Sequence, residues 1–135
     1  MADLKILIAD DEPDVLNAMA RKIEREGYTV IKAADGEEAW RKIGESLPDI
    51  VILDLTMPKM DGLAVLKNLR ENPPVPDKWQ PVIIVSARGE LRDMQKGFSM
   101  EADHYITKPC KMEDVIKGIR LMTSLIPQRK TGDED

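Results

Sequence analysis

The chain has 135 residues, 42% of them hydrophobic and 33% charged, with a net charge of −5. That suits one globular domain able to bury a core without disulfide or metal staples, and the acidic balance argues against direct nucleic-acid binding. A single cysteine, Cys110, excludes an internal disulfide, the N-terminal MADLKILIADDE lacks a basic segment followed by a long apolar one, and no apolar run approaches the ~20 residues of a membrane span, so a cytoplasmic protein with no membrane attachment is expected.

The first apolar run, LKILIAD (4–10), is rich in Ile and Leu on both alternating faces, as in a strand covered on both sides. A helix follows from Pro13 to Glu26, with proline suited to its first turn, Val15, Leu16, Met19 and Ile23 on one face, and Gly27 as its stop. YTVIKAA (28–34) carries Thr29 and Lys32 and reads as an edge strand. Ala39, Trp40, Ile43 and Leu47 give helical spacing over Gly36 to Ser46. DIVILD (49–54) is a second buried strand. A helix from Gly62, marked by Leu63, Leu66 and Leu69, stops at NPPVP, where prolines cannot continue it. PVIIVSA (81–87) is the third buried strand. A weaker helix is predicted over Glu90 to Met100, and HYITK (104–108) is a short, polar edge strand. The last helix starts near Met112, carries Val115, Ile116, Ile119, Met122 and Leu125, and is expected to end at Pro127. Residues 127–135 are then a polar, disordered tail to a domain spanning 1–126.

Strands alternating with helices five times imply an α/β fold with a parallel sheet and right-handed crossovers. Putting the two polar strands at the edges gives the order 2-1-3-4-5, a doubly wound, flavodoxin-like αβα sandwich. In such sheets ligands bind beyond the carboxyl ends of the strands, where the strand order reverses. Asp10 and Asp11 follow the first strand and Asp54 closes the third, so the fold draws residues far apart in sequence into one cleft. Three crowded carboxylates repel one another, and a hard divalent cation relieves the repulsion. Magnesium prefers oxygen ligands and needs few of them from protein, whereas zinc favours His and Cys. Ser86 ends the fourth strand and Lys108 the fifth, adding a hydroxyl donor and a mobile positive charge. These are the parts of phosphoryl transfer, with Asp54 as the nucleophile.

In ILIADDEP, ILDLTMPKMDG, VSA and YITKP, taken in order and each at a strand end, the sequence resembles the receiver domain of two-component response regulators over about residues 4–126. The resemblance implies that Asp54 accepts a phosphoryl group from a sensor histidine kinase or a histidine phosphotransfer protein. It implies a Mg2+ ion held by Asp10, Asp11, Asp54 and the Thr56 backbone carbonyl, a Lys108 ammonium that pairs with the phosphoryl group, and a cis bond to Pro109. It further implies a switch in which Ser86 moves toward the phosphoryl group and Tyr105 swings inward. The surface of the 90–100 helix, the 104–108 strand and the helix after it would change for a partner protein or an output domain, with the domain a monomer or a phosphorylation-dependent dimer. Glu101, His104 and Cys110 depart from the commonest pattern around that surface, and Thr56 and Arg88 fall where the family varies and tunes phosphate lifetime.

Plainer readings stand beside these. Asp10 and Asp11 could cap the helix at Pro13, Ser86 could cap a helix, and Lys108 could be a solvated strand end. Trp40 reads as packing, Trp79 as the pin of a proline-rich loop, His104 as a surface residue and Cys110 as a small packing residue. A magnesium-dependent aspartyl-phosphate phosphatase would need an acid two residues after Asp54, where Thr56 stands. A flavin carrier would need a phosphate loop where ADDEPD repels phosphate. A degenerate receiver that binds partners without phosphorylation fits the intact acid, hydroxyl and lysine set poorly. The chain is therefore expected to be a phosphoacceptor rather than an enzyme. With nine residues left after 126, it is either a stand-alone receiver or part of a longer regulator.

Overall fold

Each apolar run is a strand. The computed structural model describes residues 4–87 and 102–134, with the backbone alone from 127. In chain order the elements are β1 (Lys5–Ala9), α1 (Pro13–Arg25), β2 (Thr29–Ala33), α2 (Gly36–Ser46), β3 (Ile50–Leu53), α3 (Gly62–Glu71), β4 (Val82–Ala87), β5 (His104–Lys108) and α4 (Met112–Glu134). The predicted 90–100 helix, together with Arg88 and Glu101, lies outside the described residues.

All strand pairs are parallel and the order is β2-β1-β3-β4-β5, so the two polar strands are the edges, as their composition predicts. Side chains alternate across a strand, which splits the core in two. Ile6, Ile8, Ile50 and Ile52 pack with Leu16, Met19 and Ile23 of α1 and Val115, Ile119 and Met122 of α4. Leu7, Val51, Leu53 and Ile84 pack with Ile43 of α2 and Val65, Leu66 and Leu69 of α3. These two apolar layers close both faces of the sheet, and the strand ends are what remains for polar chemistry. The register aligns those ends: Ala9 lies opposite Leu53, Leu53 opposite Ile84, and Ala87 opposite Lys108.

The starts of α2 and α3 are fixed by short side chains. Asp35 caps α2 by accepting from the Glu38 N–H at 2.7 Å, while the Glu38 carboxylate accepts from the Ala34 N–H at 2.7 Å. Asp61 caps α3 through the Ala64 N–H at 2.8 Å. The stop of α1 is Gly27, whose φ of 101° suits a residue without Cβ. At the amino end of β4 and β5, Asp103 accepts from Arg70 (2.9 Å), Trp79 (3.3 Å) and the Val82 N–H (2.8 Å). Trp79 thus ties the proline-rich loop to the sheet.

Three expectations change. Leu47 does not join the buried face of α2: it is the C-cap, in a left-handed conformation with φ 51°, and it is exposed. Among the described residues no side chain caps α1; Glu12 holds the N-cap position, and Asp10 accepts instead from the Glu12 N–H at 2.9 Å. The backbone expected to be a disordered tail after residue 126 is helical to Glu134, Pro127 included. A proline's fixed φ is helical, so it costs the helix a donor and a clash rather than its shape, and a helix already nucleated by packed residues extends by one bond per residue.

Candidate functional site

Asp54 follows the last residue of β3, and its backbone N–H continues the ladder to the Ala9 carbonyl at 3.1 Å. That bond sets Asp54 beside Asp10, whose own N–H reaches the Ala33 carbonyl at 3.1 Å. Both acids are buried, at 8% and 3% exposure, while Asp11 next door is exposed. One carboxylate oxygen from each of Asp10, Asp11 and Asp54 lies within 4.8 Å of the others.

The other hydrogen bonds to the Asp54 carboxylate among the described residues come from β5, β4 and the loop after β3. Its Oδ2 accepts from Lys108 Nζ at 2.9 Å, and the same ammonium donates to Asp10 Oδ2 at 2.9 Å. Its Oδ1 accepts from the Thr56 N–H at 3.1 Å and from the hydroxyl of fully buried Ser86 at 3.3 Å. The Lys108–Pro109 bond that ends β5 is cis. Behind the site Gly62 opens α3 so close to the Asp54 carbonyl oxygen that a methyl group there would overlap it. Its N–H donates to the Leu55 carbonyl at 2.9 Å.

The electrostatics follow from sharing. Burial pushes the Asp54 carboxyl above its ordinary value, against the pull of Lys108 and the Thr56 N–H and with a push from Asp10. Burial alone would lower the Lys108 ammonium, but hydrogen bonds to Asp54 and Asp10 prevail and hold it above its ordinary value. The two directions agree physically: Lys108 has two carboxylates to itself, whereas Asp54 has half of one lysine and a like-charged neighbour. Three carboxylates against one ammonium leave a net negative, all-oxygen cluster at the rim. This donor set fits magnesium, which takes hard oxygen ligands and tolerates few from protein.

Tyr105 of β5 is half-buried against the core layer on the α2 and α3 side, and burial raises its phenol. His104 is half-buried rather than on the surface, its ring lying against α4 where Gly118 leaves room. Cys110 packs at the edge of the α1 and α4 core layer, and burial raises its thiol above the ordinary value. Trp40 is half-buried against the opposite layer. Sequence reasoning brings Asp10, Asp11, Asp54, Ser86 and Lys108 to one place, and the structure does so too. It missed the Lys108 bond to Asp10 and the packing of Gly62 on Asp54. The Asp-Gly pair at 61–62 was the available signal for the second, since glycine at a helix start next to a strand end permits close approach.

Comparison with known proteins decides the family. The family described as "Response regulator receiver domain" matches residues 6–120. The chain belongs to it. This receiver domain is 39% identical over 111 residues to the alkaline phosphatase synthesis transcriptional regulatory protein PhoP of Bacillus subtilis, covering 82% of this chain and 45% of that protein. It is 35% identical to the DNA-binding dual master transcriptional regulator RpaA of Synechocystis, over 92% of this chain and 52% of that one. The receiver thus spans about half the length of these curated relatives. Among solved structures it resembles a CheY-like receiver domain protein of Methanospirillum hungatei (TM-score 0.79, 26% identity, covering 97% of this chain and 99% of that one). It also resembles the response regulator TrrA of Thermotoga maritima in complex with Mg2+ and BeF (TM-score 0.76, 28% identity, covering 88% and 98%). Among the described residues, no helix is long and apolar enough to cross a membrane.

Proposed function

We propose that Asp54 is the phosphoacceptor of this receiver, and that the phosphoryl donor is a phosphohistidine on a sensor histidine kinase or a histidine phosphotransfer protein. The observation that carries the reading is the convergence on one carboxylate of an ammonium (2.9 Å), a hydroxyl (3.3 Å) and a backbone N–H (3.1 Å), with two further acids beside it. A carboxylate oxygen of Asp54 attacks phosphorus, the P–N bond to the donor imidazole breaks, its electron pair returns to the ring nitrogen, and an acyl phosphate remains. Asp10, Asp11, Asp54 and the Thr56 carbonyl would hold Mg2+. When bound, the ion supplies positive charge against the three carboxylates and the phosphoryl oxygens.

The chain's own groups do the rest. Lys108 exchanges its carboxylate partners for a phosphoryl oxygen, and Ser86 donates its hydroxyl to another. That movement of Ser86 opens space beside β5 and draws Tyr105 inward from its half-buried position. Phosphorylation in this way biases a two-state equilibrium of the face that β5 and α4 present to a partner protein or an output domain. The domain acts by being modified rather than by turning over a separate substrate. A cytoplasmic setting, where histidine kinases hold their phosphohistidine, fits its single, half-buried thiol.

The direct test is intact-protein mass spectrometry after incubation with a small phosphodonor and Mg2+. Wild type gains about 80 Da, the mass of one phosphoryl group, and Asp54→Ala gains nothing. Equal labelling of the two proteins would assign the phosphate to another residue.

A further inference from the structure

Asp-Gly occurs at the start of two helices, at 35–36 for α2 and at 61–62 for α3. In both, the aspartate caps the helix and the glycine lies against a backbone carbonyl of the segment that leads out of β3. At Gly62 that carbonyl belongs to Asp54, and at Gly36 it belongs to Met60; a methyl group at either position would overlap the oxygen. The Gly62 contact lies within one stretch of chain. The Gly36 contact joins a separate helix to the segment that carries Thr56. Gly36 has no left-handed backbone to explain its presence, so the close approach is the reason for glycine. Lys59 fastens the same junction: its backbone is left-handed, with φ 69°, and its ammonium lies 3.7 Å from Asp35.

We infer that Gly36 is a positioning residue for the magnesium site. By letting the start of α2 rest on Met60, it sets the path of residues 55–61, and with it the place of Thr56 relative to Asp54. The Thr56 N–H holds Asp54 Oδ1 at 3.1 Å, and Thr56 is the residue whose carbonyl the metal would take. The inference rests on the reading of Asp10, Asp11, Asp54 and Thr56 as that site. The atoms nearest a methyl group at Gly36 all belong to Met60, through which it acts as a supporting residue behind a ligand does.

Gly44, in the same helix, provides the control, because a methyl group there meets nothing. In 15N-labelled protein, Gly36→Ala shifts the Thr56 amide resonance before any metal is added and weakens Mg2+ binding about 10- to 100-fold, the usual cost of losing support behind a ligand. Gly44→Ala leaves both unchanged. In wild type, Mg2+ slows hydrogen exchange at the Glu38 and Ala39 amides, which open α2 and touch no ligand. A folded Gly36→Ala with the wild-type Thr56 resonance and Mg2+ affinity would overturn the inference. Should that variant not fold, unchanged exchange at Glu38 and Ala39 in wild type overturns it equally. Failure of wild type to bind Mg2+ at all would instead remove the metal reading, and this inference with it.

Discussion

Asp54 is held by more partners than a turn-forming aspartate needs, and still it resists ionisation. Its carboxyl is raised above 3.8, chiefly by burial. An acid raised in the folded state binds more protons there than in the unfolded chain, so stability falls as pH climbs from about 3.8 through the folded value. Asp54→Asn removes that penalty. It is expected to melt above wild type at pH 7, without metal, and to lose the advantage below about pH 3.8. Melting curves across that range check the sign; a variant less stable at pH 7 would mean that Lys108 repays the burial in full. The meeting of Asp10, Asp11, Asp54, Ser86 and Lys108 was legible because each polar residue ends or follows an apolar run. The shared bond of Lys108 to Asp10 was not, because which of two acids a flexible lysine reaches is set by the spacing of strands β1 and β5 across the sheet.

Elements were legible where burial dictated composition. β1, β3 and β4 must be apolar on both faces because helices cover both, and runs this short and rich in Ile and Val favour strand over helix. Leu47 was misplaced because helical spacing counts a residue whether or not the helix has already turned out into its cap. The extension of α4 beyond Ile126 escaped because composition reports what can be buried, not what a preformed helix can propagate. The Asp103 junction escaped too, since nothing in a lone aspartate tells of three donors from three segments. Asp103→Ala strips an acceptor from Arg70, Trp79 and the Val82 N–H together. With the Asp103 side chain about a quarter exposed at 23%, the variant is expected to lose about 2 kcal/mol, a net value for part-exposed hydrogen bonds including a charged one. Urea denaturation measures the loss. Phosphorylation of the variant should proceed as in wild type, because this junction lies at the opposite end of the strands from Asp54.

At the scale of the whole molecule, a metal held at the acidic rim as proposed would be coupled to the fold. A ligand that binds only the folded state at a hundredfold excess over its Kd stabilises by about 2.7 kcal/mol. Mg2+ at that excess should therefore raise the melting temperature of wild type by several degrees. Asp11→Ala should abolish most of the rise while leaving the metal-free melt within about 0.5 kcal/mol, as for an exposed substitution. An undiminished rise in the variant would place the ion elsewhere.

Lys108 reaches Asp10 across 98 positions of sequence and Asp54 across 54. During synthesis the acids therefore emerge from the ribosome long before their counterion, and a nascent chain that stops short of β5 lacks the ammonium that Asp10 and Asp54 share. The pairing that holds this rim together is thus the last part of the sheet to be made, and the acids stay uncompensated until β5 adds to the edge of β4.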